Sequence, residues 1–198
     1  MVVFHLLLVL YWSLFGLLHS VLASLRLKAF LQRVTGPYFR YYRLLYTCLA
    51  FAMLTFILIF QLGHRSILLL SSPVLYFLGI PLALIGAYIM GVCIKKYFAN
   101  LSGVDVFTKK EQPMVLEIGG LHRYMRHPLY AGTLLFMWSL FLLFPYLSNL
   151  IACVVSTTYV LIGISIEERK LVMEYGDRYK VYASRTPKLI PFLRRSIT

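Results

Sequence analysis

Four apolar stretches, each long enough to cross a hydrocarbon layer, constrain this chain more than any other feature. Val2 to Leu25 carries no charged residue. A second stretch runs over 44–62 and a third over 74–94, the latter holding Pro81 and Gly86, which membrane helices tolerate. The last, Tyr130 to Ile166, is too long for a single crossing at about 1.5 Å rise per residue through a ~30 Å core. Pro145-Tyr146-Leu147-Ser148-Asn149 supplies turn residues near its middle. The stretch therefore reads as a helical hairpin. The expectation is an all-α, polytopic helix bundle of about five transmembrane helices. They lie near 2–25, 44–62, 74–94, 129–145 and 149–166, and a cytoplasmic tail over 167–198 completes a single domain, 1–198. The first stretch lacks the basic leader and small-residue cleavage site of a secretory signal, so it reads as a retained helix.

Composition agrees. The chain is 60% hydrophobic and 14% charged, against about half and about a quarter in a soluble domain. A soluble globule of this size cannot hide so much apolar surface, and disorder needs the opposite composition. Cys48, Cys93 and Cys153 sit inside apolar runs with no CxxC spacing. They read as small core residues, with neither a disulfide framework nor a metal site.

Charge placement tests the span count independently. Segment 26–43 holds Arg26, Lys28, Arg33, Arg40 and Arg43 and no acid, whereas 63–73 holds Arg65 alone. Segment 95–126 adds six basic residues, the turn 145–149 none, and the tail eight. Nineteen of the 20 basic residues, and all seven acids, thus fall on the side to which odd spans exit. The positive-inside rule makes that side cytoplasmic and places the N-terminus outside. The net charge of +13 therefore reads as membrane sidedness, and no nucleic-acid partner is expected.

Within the spans, His19 and Ser20 lie toward the cytoplasmic end of the first helix. Such a histidine is either satisfied by a neighbouring helix or part of a polar wall near a substrate pocket. His5 and His64 read as interfacial. The stretch Gly119-Gly120-Leu121-His122-Arg123-Tyr124-Met125-Arg126-His127-Pro128-Leu129-Tyr130-Ala131-Gly132 is denser in chemistry. Pro128 turns His127 away from helical geometry and suits the first turn of the following helix. Arg126 and His127 then sit beside a positive helix end, an arrangement that suits a carboxylate or phosphate. The same residue types also serve as interfacial anchors on lipid phosphates. Glu167-Glu168-Arg169-Lys170 closes the last apolar run, and the helix is expected to continue to about Gly176. The two acids point about 100° apart, so one faces inward while the other meets water or a cation. The tail, with Tyr175, Tyr179 and Tyr182, reads as an amphipathic piece lying on the membrane or on the domain.

Arg126-His127-Pro128-x-Tyr130-x-Gly132, a hairpin, Glu167-Glu168-x-x-Leu171, Tyr175-Gly176-x-x-Tyr179-x-x-Tyr182, Pro187 and Ile190-Pro191 together resemble the membrane methyltransferase superfamily. That superfamily includes isoprenylcysteine carboxyl methyltransferase, phospholipid methyltransferases and the methanethiol S-methyltransferase branch with its NnrU-like relatives. The resemblance covers roughly 113–192. Leu14-Phe15-x-x-Leu18-His19-Ser20 and the basic loop after it are similar to the first span of the methanethiol and NnrU-like branch.

The resemblance implies S-adenosylmethionine at the cytoplasmic face, held by Met114, Val115, Leu116, Glu117, His122, Arg126, His127, Pro128, Leu129, Tyr130 and Glu167. It implies a methyl acceptor that is a small thiol or a lipophilic molecule, isoprenoid or phospholipid-like, arriving from the bilayer near His19. Arg126, His122 and Glu168 are the candidate catalytic residues, His122 or Glu168 as proton acceptor for a neutral thiol or amine. Where isoprenylcysteine enzymes carry an arginine for the substrate carboxylate, this chain has Gly163, which argues against a prenylcysteine. The residues suit the cofactor: basic groups for its carboxylate, Glu167 for its ammonium or ribose, Tyr124 and Tyr130 for its adenine or sulfonium. No GxGxxG follows a strand, which excludes a soluble Rossmann-type enzyme. Two other readings stand beside this one: an NADPH-dependent enzyme like the membrane sterol reductases, which are larger, and a non-catalytic subunit that binds lipid or a partner protein. The small size points to a bacterial inner membrane.

Overall fold

The computed structural model describes residues 1–102 and 116–191, with side chains for 1–98 and 116–191. The described residues are all-helical apart from loops and one isolated bridge. The elements are α1 (Val2–Ala23), α2 (Leu25–Thr35), a 3-10 turn (Gly36–Tyr41), α3 (Tyr42–Leu62), α4 (Val74–Ser102), a 3-10 turn (Gly120–Arg123), α5 (Pro128–Leu143), α6 (Leu147–Tyr175) and α7 (Asp177–Arg185). Among the described residues, four helical stretches are long and apolar enough to cross a membrane: Val2–Ala23, Leu25–Leu62, Val74–Phe98 and Leu147–Tyr175. The fourth expected span, α5, is shorter at 16 residues, about 24 Å of rise. Large apolar side chains such as Phe51, Phe77, Leu84 and Tyr88 are exposed, which water would penalise and lipid does not. The chain is a multi-pass membrane protein.

Two expectations need correcting. The basic stretch after α1 is a helix and a 3-10 turn rather than a loop: Ser24 is extended and its Oγ accepts from Leu27 N at 3.3 Å, capping α2. The third span continues as helix past Ile94 to Ser102. His5 is buried.

The described residues pack as two compact units. The first holds 1–71, 95–102 and 144–156. Here α1 packs on α3. Phe4, Leu8, Trp12 and Gly16 recur every four residues and are buried, facing an α3 that buries Ile57 and Gln61. A polar chain crosses this interface: Trp12 Nε1 donates to Gln61 Oε1 (3.2 Å), Gln61 Nε2 to Asn149 Oδ1 (2.6 Å), and Asn149 Nδ2 to Phe144 O (2.7 Å). Each amide thereby finds the partner that burial demands. Ser66 Oγ lies 3.0 Å from His5 Nε2 and accepts from Ser148 N. Leu69 N donates to Pro145 O, and Leu147 N to Ile67 O, both at 2.8 Å, so segment 66–69 pairs with the hairpin turn. His19 is satisfied by its neighbour: Tyr46 Oη lies 2.7 Å from its Nε2.

The second unit holds 72–94, 116–143 and 157–191. There α4 and α5 touch backbone to backbone. A Cβ placed on Gly86 would stand 2.7 Å from Phe136 N and 3.0 Å from Gly132 O, and one on Gly132 would stand 3.0 Å from Met90 N. Small residues at a membrane-helix crossing permit that approach. Trp138 Nε1 donates to Thr157 Oγ1 at 3.0 Å, linking α5 to α6.

Candidate functional site

The second unit gathers the polar side chains through a sequence of local constraints. Gly120 adopts φ +56°, the left-handed region glycine enters without a Cβ penalty. It turns the chain into the 3-10 turn that ends at Arg123. Met125 is buried and anchors the loop. Pro128 keeps His127 out of the helical region, so the amides of Arg126 and His127 point away from α5. They are taken by the tail: Arg126 N donates to Pro187 O (2.9 Å) and His127 N to Lys188 O (3.1 Å). The α5 helix begins at Pro128, whose missing N–H costs nothing there.

From the other side, α6 continues past Glu167 and Glu168 to Tyr175, as expected. It stops at Gly176, whose φ is +55° and whose N–H caps Val172 O at 2.9 Å. The chain reverses into α7, which carries Tyr179 and Tyr182 one turn apart. Tyr182 Oη donates to His122 O at 2.6 Å, and Tyr179 Oη to Glu168 Oε1 at 3.5 Å. Burial, helped by the Glu168 charge, pushes the Tyr179 phenol upward, so it remains a donor.

Glu168 is the hub. Its side chain is 16% exposed, and its Oε1 lies 2.8 Å from Arg126 Nη2 and 3.3 Å from His127 Nε2. Its Oε2 lies 3.1 Å from Lys188 Nζ. Arg126, 10% exposed, also donates from Nη1 to Ala183 O at 2.9 Å. Its Nε is buried without a hydrogen-bond partner. Glu167 is turned differently: it is 44% exposed, and its Oε2 stands 3.9 Å from His127 Nδ1. His122 Nδ1 lies 3.1 Å from the carbonyl of Arg126. A carbonyl only accepts, so Nδ1 is the donor in this contact. His127 stacks on Tyr130 with ring centroids 5.8 Å apart.

Burial holds the His127 imidazole below its usual 6.5, against the opposite pull of Glu167 and Glu168. A folded value below the unfolded one means that the unfolded chain binds the proton more readily. This contribution to stability is complete above the unfolded value and is lost as pH falls below it toward the folded one. Thermal stability in detergent is expected to decline as pH falls below about 6.5. His127→Gln should flatten that decline.

Of the residues singled out in the sequence, the structure brings together His122, Arg126, His127, Glu167 and Glu168, with Pro128, Leu129 and Tyr130 in the first turn of α5. Leu116 is half-buried, and Glu117 folds onto its own loop, accepting from Gly119 N at 2.9 Å. Met114 and Val115 lie outside the described residues. His19 belongs to the first unit. Sequence reasoning missed the structural part that Tyr179, Tyr182, Lys188 and the 187–188 carbonyls play. The regular tyrosine spacing was the available signal, and it places the tail on the domain.

The family model described as phospholipid methyltransferase matches residues 74–178, more than half of the chain. Among curated proteins, the methanethiol S-methyltransferase of Crocosphaera subtropica is 35% identical over 88 residues, 44% of this chain and 34% of that protein. A second methanethiol S-methyltransferase, from Pseudomonas sp. (strain GM41(2012)), is 27% identical over 191 residues, 90% of this chain and 70% of its own. The protein-S-isoprenylcysteine O-methyltransferase of Schizosaccharomyces pombe is 33% identical over 91 residues, 44% of this chain and 38% of that protein. The matched part spans only about a third of the length of the Crocosphaera protein. No solved structure matches the chain. Because the family match takes in the whole stretch from α4 through the Arg126–Glu168 cluster to the start of α7, the chain belongs to the phospholipid methyltransferase family.

Proposed function

We propose that this chain is a membrane-embedded methyltransferase that uses S-adenosylmethionine and acts on a small thiol, or on a lipophilic acceptor reaching the site from the bilayer. The observation that carries this reading is the convergence of Arg126, His127, Glu167 and Glu168 at the junction of α5 and α6. A zwitterionic sulfonium donor needs both signs of charge within one site, and this cluster supplies them.

The residues fit the cofactor. The buried Nε of Arg126 is a donor still lacking an acceptor, as expected of a group that receives a carboxylate on binding. The Glu167 carboxylate is half-exposed and suits an ammonium or a ribose hydroxyl. The Tyr130 ring, braced by His127, offers an aromatic face. When bound, S-adenosylmethionine supplies an electrophilic methyl group for in-line displacement. The chain's own residues orient and deprotonate. Glu168 holds Arg126 and His127 in place. With Nδ1 donating to Arg126 O, His122 presents Nε2 as acceptor for a thiol proton. The Glu168 oxygens already take donors from four side chains, which favours His122 as the proton acceptor.

The names of the relatives favour a thiol. Gly163, with open space where a Cβ would stand, offers no cation to a prenylcysteine carboxylate. The charge asymmetry supports an outside N-terminus and a cytoplasmic site. Calorimetric titration of the purified chain with S-adenosylmethionine and with NADPH tests the reading. Binding of the first alone supports it, whereas binding of the second or of neither refutes it. Glu167→Gln should weaken S-adenosylmethionine binding about tenfold, or about 1.4 kcal/mol, with thermal stability unchanged.

A further inference from the structure

The first unit carries a surface that the methyl-transfer reading does not use. Residues 1–104 contain eight basic side chains and no Asp or Glu, and the acids of this unit, Asp105 and Glu111, lie outside the described residues. Five of the eight lie in 26–43, the segment between the end of α1 and the first turn of α3. The fold pins both ends of that segment together. Tyr42 Oη donates to Leu22 O at 2.6 Å, and Tyr46 Oη meets His19, so the start of α3 is fixed against the end of α1. The α1 helix and the stretch Leu25–Leu62, whose uninterrupted apolar part lies in α3, are long and apolar enough to cross the bilayer. The segment joining them at one end must therefore lie where hydrocarbon gives way to headgroups.

The faces of α2 match that position. At 100° per residue, Leu27 and Leu31 share the side that is half-buried against the protein. Beside them, Phe30 and Val34 share a side and are 60% and 67% exposed. Next round the helix, Arg26 and Arg33 share a third side, two turns apart, about 10 Å along the axis, and both are exposed. An exposed apolar pair flanked by arginines is costly in water. At a membrane boundary the pair sinks into the acyl layer while the arginines reach phosphate oxygens.

We propose that α2 and the 3-10 turn after it form a binding surface for an anionic phospholipid leaflet. Phe30 and Val34 insert at the acyl boundary, and Arg26, Arg33 and Arg40 hold lipid phosphates. Charge complementarity selects this occupant: Arg26, Arg33 and Arg40 are exposed on a segment, 26–43, that carries no Asp or Glu, and the neighbouring apolar pair fits a lipid surface rather than an acidic peptide or a nucleic acid.

The test uses the full chain in nanodiscs of phosphatidylcholine, with and without phosphatidylglycerol. In the Phe30→Trp variant, the added fluorescence should be quenched by brominated acyl chains. Mass spectrometry of lipids retained on extraction should show phosphatidylglycerol enriched over its bulk fraction. Each of Arg26→Gln, Arg33→Gln and Arg40→Gln should lower that enrichment about fivefold, and added salt should lower it too. An unquenched Phe30→Trp signal overturns the proposal. So does equal enrichment in the parent and the triple arginine variant, or retention of an acidic peptide in place of lipid. The Phe30→Trp signal decides the matter should the triple variant fail to fold. None of these readings depends on S-adenosylmethionine.

Discussion

Replacing Glu168 by alanine is expected to destabilise the protein by about 3–5 kcal/mol, the cost of removing one partner from a buried ion pair. The carboxylate lies between Arg126 and Lys188 and also takes hydrogen bonds from His127 and Tyr179. Lys188 is half-exposed and returns to water at little cost. Arg126 has no such escape: it is nine-tenths buried, and one of its nitrogens already lacks a partner. Losing Glu168 leaves that guanidinium charged in a poorly solvated place with only Ala183 O to satisfy it. A thermal melt in detergent reads the loss, and Glu168→Gln should fall between parent and alanine variant. The informative comparison is the double variant Arg126→Met/Glu168→Leu. If the penalty is an orphaned charge, removing both charges should restore stability above either single variant. Additive losses would show that the two side chains matter separately, through packing alone.

The same cluster shows where sequence reading reaches its limit. Arg126, His127, Glu167 and Glu168 were legible because unusual residues at a helix start and a helix end stand out against an apolar chain. The division of labour between the two acids was not. Which of two adjacent carboxylates turns inward depends on the phase of α6 against its neighbours, and a local pattern does not encode that. Here Glu168 is enclosed and Glu167 left half-exposed. The pairing of Arg126 and His127 amides with the 187–188 carbonyls was equally hidden, since backbone groups carry no sequence signature across such a separation.

The helices follow a similar logic. Val74 and Pro128 begin helices where expected, since a turn and a proline mark both places. The α4 helix runs past the expected span because Lys95 and Lys96 end the apolar run without ending the helix. Apolar runs report the edge of the bilayer, and the backbone has no reason to stop there. The α2 helix was read as loop because its apolar residues recur on one side only, between arginines. A search for uninterrupted hydrophobicity passes over that periodicity. The partner of His5, Ser66, lies 61 residues away, a pairing that no local pattern encodes.

Two glycines of α4, five residues apart, should respond in opposite ways to a single methyl group. At Gly91 a Cβ meets nothing within 4 Å. Gly91→Ala should therefore stabilise the protein by about 0.5–1 kcal/mol, because alanine loses less backbone freedom in a helix. At Gly86 the same methyl would stand 2.7 Å from Phe136 N and 3.0 Å from both Gly132 O and Phe136 Cα. Those are backbone atoms of α5, so no rotamer change relieves the contact and the helices must separate. Gly86→Val should cost about 3 kcal/mol or more, the upper range for overpacking, with Gly86→Ala between. The α5 helix also begins at Pro128, directly after His127. Displacing it disturbs the residues that meet Glu168, so Gly86→Val should lose S-adenosylmethionine binding together with stability. Paired melts and titrations of the Gly86 and Gly91 variants check this. If Gly86→Val melts like the parent, α4 and α5 do not cross as closely as the structure shows.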